Sequence, residues 1–124
     1  MIRRVVTMWK YLIVLGFLAS GASAQEVTTA SGGVLRALDK TSGQTSDIEM
    51  RAGDLRRMGS LEIRMAECRY PAGNPSGNAY ASLEIKETGK ASLLFSGWMI
   101  ASAPALSALE HQRYDVWVIR CTTS

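Results

Sequence analysis

The only histidine of this 124-residue chain is its most obvious candidate for acid–base chemistry. His111 directly follows Glu110 and lies four residues before Asp115. A carboxylate close to an imidazole orients the ring and stabilises its protonated form, as a general base requires. The spacing therefore suggests a small hydrolase in which His111 works with Glu110 or Asp115. The alternative, which we favour, is that His111 caps the carbonyls at the end of a preceding helix.

Four aromatic side chains are the best candidates for a binding surface. Trp98 and Trp117 flank a predicted helix, Tyr114 is close to the second of them, and Tyr80 lies on a neighbouring predicted strand. Aromatic rings provide large contact areas for proteins, peptides or sugars. They are also the largest side chains with which a small domain fills its core. The sequence leaves both roles open, and a binding role requires at least one ring to line a surface groove.

The first 24 residues have the parts of an export signal. Residues 11–19 are apolar but too few to span a bilayer comfortably. Small residues follow them up to Ala24, where a signal peptidase would cut. A basic head precedes them, formed by Arg3, Arg4 and Lys10. We predict a mature protein of residues 25–124 that is periplasmic or secreted, with an uncleaved anchor or twin-arginine export as the alternatives.

Two cysteines, Cys68 and Cys121, indicate a disulfide bond in such an exported protein. Two separate buried thiols are the alternative. A zinc site needs four ligands, and His111 alone does not complete a set with the two thiols. We therefore expect a Cys68–Cys121 bridge, no metal and no cofactor.

The net charge of +3 belongs to the leader, because its removal leaves 11 basic and 11 acidic residues. Nucleic-acid binding needs a surplus of lysine and arginine, and anionic membranes attract polybasic segments. The neutral mature chain has neither. We therefore expect no nucleic-acid partner and no membrane anchor after cleavage, which leaves an envelope protein or a glycan as the partner.

The mature chain is predicted to be mostly β, with one domain at residues 34–124 after a flexible lead-in at 25–33. Short segments of alternating polarity between turn residues indicate about seven strands. They cover residues 34–40, 45–50, 55–58, 61 onward, 79–87, 92–100 and 114–121. One short helix is predicted over 102–111, before the last strand, because Pro104 suits a first helical turn. The pattern favours a small antiparallel barrel or sandwich.

Two of these strands carry a further prediction. Alternation from Leu61 places Cys68 on the polar face, so a buried Cys68 requires a bulge near residues 66–67. The strand over 92–100 has apolar residues on both faces, which predicts a central position in its sheet.

From Val34 to Cys121 the chain resembles the exported bacterial domain-of-unknown-function family 2155. The resemblance is carried by Leu-Arg-Ala-Leu-Asp-Lys at 35–40, by Gly-Ser-Leu-Glu-Ile at 59–63, and above all by the run from Leu94 through Gly97-Trp98 to Cys121. It implies export from a Gram-negative cell to the periplasm and supplies no reaction. With the residues above, it predicts a non-enzymatic binding or envelope-structural module, with the His111 hydrolase as the alternative.

Overall fold

The computed structural model describes residues 25–123, and these residues form eight strands and a single 3₁₀ turn. The predicted signal peptide lies outside the described residues. Five glycines with a positive φ lie in turns between the strands, at Gly43, Gly53, Gly59, Gly73 and Gly89. The strands are β1 (Val27–Thr29), β2 (Gly32–Asp39), β3 (Thr45–Arg51), β4 (Leu55–Met58), β5 (Leu61–Pro71), β6 (Tyr80–Glu87), β7 (Leu93–Ile100) and β8 (Tyr114–Thr122).

The strands form two antiparallel sheets that pack as a sandwich. The larger sheet has the order β1-β5-β6-β7. β4 pairs with the same edge of β5 as β1, but at the beginning of β5, whereas β1 pairs with its end. The smaller sheet has the order β3-β2-β8. The prediction of a mostly β fold is confirmed. Of the two architectures left open, residues 25–123 form a sandwich-like pair of sheets and no closed barrel.

The core lies between the sheets and follows the alternation of the strands. Leu61, Ile63 and Met65 of β5 are fully buried, and β6 contributes Leu83 and Ile85 beside them. The facing sheet adds its own buried side chains, among them Leu35, Ala37, Val116 and Val118. Because side chains point alternately to the two faces of a strand, each sheet keeps a second face in solvent.

A β-bulge moves Cys68 onto the buried face, as the sequence predicted. The pairing of β5 with β6 shifts register between Met65 and Glu67, and Cys68 is completely buried beyond that shift. It is joined to Cys121 of β8 across the two sheets, 53 residues along the chain, with a Cα–Cα distance of 5.7 Å. Closing a loop of this length stabilises the fold by about 4 kcal/mol in the chain-entropy model.

The N-terminal segment is ordered where we predicted a flexible lead-in at 25–33. Thr28 pairs with Tyr70, and the backbone N–H of Ala30 donates to the carbonyl of Cys68 at 2.7 Å. Gly33 is buried inside β2, and a Cβ on it would lie only 2.9 Å from the Cys68 sulfur. The small residues of this segment indicate close packing against the disulfide.

The predicted helix over 102–111 is reduced to one 3₁₀ turn at Pro104–Leu106. No side chain caps its start, and Leu106 is 78% exposed. Only Leu109 reaches the core, where it is 4% exposed. With one buried residue in the segment, an α-helix would gain too little packing to form, since short helices depend on a buried face.

We predicted that the strand over 92–100 is central in its sheet. This prediction is wrong, because the strand is β7, the edge strand of the larger sheet. Its apolar residues on both faces do not reflect burial on both faces, because Leu93, Leu94 and Trp98 are exposed. Alternation reports which face a residue occupies but not how many strands lie beside it. None of the helical segments within residues 25–123 is long and apolar enough to cross a membrane.

Candidate functional site

His111 forms its hydrogen bonds with groups other than the two carboxylates that the sequence offered as its partners. Its Nε2 lies 2.5 Å from the carboxylate of Glu87, at the end of β6. Its Nδ1 accepts hydrogen bonds from the backbone N–H groups of Arg113 and Tyr114, with N···N distances of 3.0 and 3.1 Å. The segment that replaces the predicted helix brings His111 to Glu87. Glu110 is exposed and lines the same depression as these two residues, but His111 makes its side-chain hydrogen bond to Glu87.

This hydrogen-bond pattern assigns the proton of the neutral imidazole to Nε2, because Nδ1 only accepts. Nε2–H therefore donates to Glu87, and the Nδ1 lone pair is taken up by two backbone amides. The hydrogen bonds from His111 and then from Ser60 hold the pKa of Glu87 below its usual range. A general base needs a free lone pair facing a substrate, and His111 as placed offers none.

Asp115, the other predicted partner of His111, lies within β8 opposite Leu38 of β2. The ion pair at this end of the sandwich is instead formed by Arg113 and Asp39. Two guanidinium nitrogens of Arg113 donate to the two carboxylate oxygens of Asp39, at 3.3 and 3.1 Å. This pairing lowers the pKa of Asp39 and raises that of Arg113. The segment around His111 thus links the two sheets, through His111 to Glu87 of β6 and through Arg113 to Asp39 of β2.

Tyr114, which we predicted as a binding residue, belongs to the core. It is 5% exposed, and its hydroxyl packs against Gly59 in the β4–β5 turn. Gly59 has a φ of +57°, and a Cβ there would collide with the phenol ring. The prediction failed because Tyr114 and Trp117 are an odd number of residues apart on one strand, so they point to opposite faces.

The remaining three aromatic residues are divided between the outer faces of the two sheets. Tyr80 and Trp98 lie on the outer face of the larger sheet, where Tyr80 pairs with Ile100 and Trp98 with Ser82. Trp117 lies half-buried on the outer face of the smaller sheet, paired with Arg36. The single aromatic groove suggested by the sequence is therefore not formed, and two separate surfaces replace it.

The groove beside Trp98 is a largely apolar depression of about 310 Å³. Its lining residues come from β1, β5, β6 and β7 together with Gln25 before β1. They are Gln25, Val27, Arg69, Tyr80, Trp98 and Ile100. Trp98 is 39% exposed. We call this surface the aromatic groove.

Arg69 gives the aromatic groove its one charged side chain. Its guanidinium carbon lies 4.9 Å from the Trp98 ring centre, a cation–π distance, and one of its nitrogens donates to Glu67 at 2.8 Å. Its Nε is buried and has no hydrogen-bond partner. Arg69 therefore retains a donor that the fold does not satisfy.

A short polar network borders the groove. The Tyr80 hydroxyl donates to Gln25 at 3.2 Å, and the Asn78 amide donates to Ser102 at 2.8 Å. Asn78 also accepts the backbone N–H of Ser102 at 3.0 Å. These bonds connect the N-terminal segment and the residues after β7 to β6, so the rim of the groove is fixed in place.

Most of the exposed large hydrophobic side chains of residues 25–123 lie on the face that carries this groove. Four of the six exposed large hydrophobic side chains line depressions on the outer face of the larger sheet. Those four are Val27, Leu55, Leu93 and Trp98. The charges between them compensate one another, since Glu62 contacts both Arg57 and Lys86, at 3.4 and 3.7 Å.

The outer face of the smaller sheet is polar by comparison. Arg36 donates to Asp47 across β2 and β3 at 2.8 Å, which lowers the pKa of Asp47 and raises that of Arg36. Trp117 lies over a shallow depression shared with residues 104–108. This face therefore carries the Arg36–Asp47 ion pair and one half-buried aromatic ring, that of Trp117.

Sequence reasoning missed two residues that the structure makes important, Glu87 and Arg69. Each is an ordinary polar residue of an alternating strand, and only the pairing of distant strands places them beside His111 and Trp98. Within residues 25–123 no group of three or more histidine, cysteine, aspartate or glutamate side chains is placed to hold a metal ion.

Comparison with known proteins places these features in a family. A protein in Rickettsia prowazekii (strain Madrid E), "Uncharacterized protein RP359", is 27% identical over 99 residues, which are 77% of this chain and 64% of that protein. The chain thus spans less than two thirds of that relative's length. No solved structure matches. The model of the family described as "Uncharacterized protein conserved in bacteria (DUF2155)" matches residues 33–121, and the chain belongs to that family.

Proposed function

We propose that this protein is an exported, non-enzymatic binding module that works in the periplasm and holds a protein partner in the aromatic groove. The observation that carries the proposal is the grouping of Trp98, Tyr80 and Arg69 on one solvent-facing surface. Tryptophan, tyrosine and arginine are the residues most enriched where binding energy is concentrated in protein interfaces.

A protein partner fits the groove better than a glycan does. One face of the Trp98 ring is covered by Arg69, which leaves less of the ring for a sugar to stack on. The exposed side chains of Val27 in the groove and of Leu93 further along the same face are aliphatic and favour an apolar partner surface. The Arg69 side chain is 39% exposed, so its guanidinium group can donate to a carbonyl or carboxylate of the partner.

Export to the periplasm is supported by two independent features of the chain. Residues 1–24 have the pattern of a cleavable leader. The cross-sheet disulfide suits an oxidising compartment, since such bonds are rare in the cytosol. Net neutrality of residues 25–124 is consistent with a partner that is neither nucleic acid nor an anionic membrane.

The hydrolase alternative has lost its main support. His111 is bonded at both ring nitrogens, to Glu87 and to the backbone, and it approaches neither Glu110 nor Asp115 through a hydrogen bond. We therefore assign His111 a structural role.

Complementation of a strain deleted for this protein tests the proposal against the alternative. The readout is the cell-envelope phenotype at equal protein abundance, with Trp98→Ala, Trp117→Ala and His111→Gln compared. We expect Trp98→Ala to lose the function, because it empties the groove. Trp117→Ala, the matched control on the other sheet, and His111→Gln retain it. Loss in His111→Gln with full function in Trp98→Ala contradicts the proposal and restores the hydrolase interpretation.

A further inference from the structure

Gln25 lines the aromatic groove, and the predicted cut after Ala24 would make it the first residue of the exported protein. The Tyr80 hydroxyl donates to the side-chain carbonyl oxygen of Gln25, Oε1, at 3.2 Å. The same hydroxyl accepts a hydrogen bond from the side-chain amide of Asn78 at 3.4 Å. The side chain of the predicted first residue therefore lies at the end of a chain of hydrogen bonds that is anchored in the fold.

The backbone that follows Gln25 is held in place, which keeps the predicted chain terminus beside the groove. The carbonyl of Glu26 accepts the backbone N–H of Ala72 at 3.0 Å, and Val27 pairs with Pro71 of β5. Removal of the leader would thus create a free α-amine directly before a segment whose backbone is already paired.

The groove offers poor surroundings for the cation that such an α-amine becomes. Val27, Trp98 and Ile100 provide apolar surface, and Arg69 already contributes a positive charge. Both an apolar environment and a neighbouring like charge disfavour the charged form of an amine. A reaction that removes the charge at the chain terminus is therefore favoured here.

We propose that Gln25 is a self-modification site, at which the side chain closes on its own α-amine to a pyrrolidone ring while the Tyr80 hydroxyl polarises the reacting amide. The α-amine nitrogen attacks Cδ, so the N–Cδ bond forms and the Cδ–Nε2 bond breaks. The Nε2 nitrogen takes up the protons that the amine gives up and leaves as ammonia. The reaction needs no oxidant, metal or second substrate, because both reacting groups belong to one residue.

The hydrogen bond from Tyr80 acts where the negative charge of this reaction develops. Attack on Cδ moves charge onto Oε1, and a donor already aimed at that oxygen binds it more strongly in the transition state than in the ground state. The product is a neutral lactam that keeps its carbonyl for Tyr80 and adds an apolar ring to the groove wall. The inference rests on the proposed function, because it takes export and the cut after Ala24 as given.

Intact-mass analysis and N-terminal sequencing of the protein exported from the full-length chain test the modification. We expect a chain that begins at residue 25, is lighter by one ammonia and is blocked to sequencing. Gln25→Ala, the control, should begin at the same position with its full mass and an open amine. A wild-type chain that begins at Gln25 without loss of ammonia, or at another residue, overturns the inference and leaves the proposed function standing. A cytoplasmic chain with its leader attached overturns both.

The rate of ring closure tests the role of Tyr80. Cells express the full chain in a short pulse, and mass spectrometry follows the fraction of N-terminal peptides that have lost ammonia. Tyr80→Phe keeps the ring and removes the donor, so we expect closure to slow by roughly fivefold. Tyr70→Phe, the matched control, removes a hydroxyl from a residue that pairs with Thr28 and does not line the groove, and should close at the wild-type rate. Equal rates for Tyr80→Phe and wild type would overturn the proposal.

Discussion

The two sheets of this protein share one core but differ in what they present to solvent. The outer face of the larger sheet carries exposed Trp98 with Tyr80 and an incompletely bonded Arg69. The outer face of the smaller sheet carries the Arg36–Asp47 pair and a sheltered Trp117. The exposed aromatic and aliphatic side chains are therefore concentrated on one sheet, and this contrast is what supports our proposal that the larger sheet is the binding face.

The two ends of the sandwich also differ in how they join the sheets. One end has the covalent bridge between Cys68 and Cys121. The other has the hydrogen bond from His111 to Glu87 and the packing of Tyr114 on Gly59. The residue that the sequence offered as a catalyst is therefore used to close the fold.

Removal of the disulfide should have the largest effect on stability. For the double variant Cys68→Ala with Cys121→Ala, we expect the free energy of unfolding to fall by about 2–5 kcal/mol. Denaturant titration measures it, and reduction of the wild-type protein is the control that leaves the core side chains unchanged. A loss below about 1 kcal/mol would show that the sheets do not depend on the bridge.

Gly59→Ala should have the next largest effect, because it combines an unfavourable backbone conformation with a collision. Gly89 has a φ of +83° but open space around it, so Gly89→Ala isolates the backbone part. We expect Gly89→Ala to cost about 1 kcal/mol and Gly59→Ala about 2–4 kcal/mol. Equal losses for the two variants would mean that Tyr114 does not pack on this turn as described.

Glu87 should make a smaller, pH-dependent contribution. Its pKa is lowered in the folded state, so its stabilisation is fully present above the ordinary glutamate pKa and is lost as the pH falls through the folded value. The melting temperature of wild type should therefore exceed that of Glu87→Gln at neutral pH, and the difference should shrink below about pH 4.

The same comparison in the His111→Ala background is the control. His111 is the largest cause of the lowered Glu87 pKa, so the pH-dependent difference should be smaller there. An unchanged difference would show that His111 does not hold Glu87.

Much of this architecture could be predicted from local patterns. The alternation of Leu61, Ile63 and Met65 gave the correct buried face, and the position of Cys68 required the bulge that is present. Both inferences depend on a few neighbouring residues, for which the two-residue period of a strand is a reliable guide.

The errors concern contacts between distant segments. The edge position of β7 and the order at Thr28 depend on which strands pair, and alternation within one strand does not encode that choice. Trp98 and Tyr80 were predicted as binding residues, but Arg69 was missed for the same reason, since Arg69 and Trp98 are brought together through β6. The helix predicted over 102–111 does not form, because Leu109 is the one large apolar residue that this segment buries.

Photo-crosslinking at the two tryptophan positions tests the central claim most directly. A photoreactive phenylalanine analogue replaces Trp98 or Trp117 singly in cells that export the protein, and the adducts are identified by mass spectrometry. We predict an adduct between mature chain and another envelope protein from position 98, and none from position 117. Adducts from position 117 alone would contradict the account. So would a protein that stays in the cytoplasm with its leader attached, its cysteines reduced and no adducts.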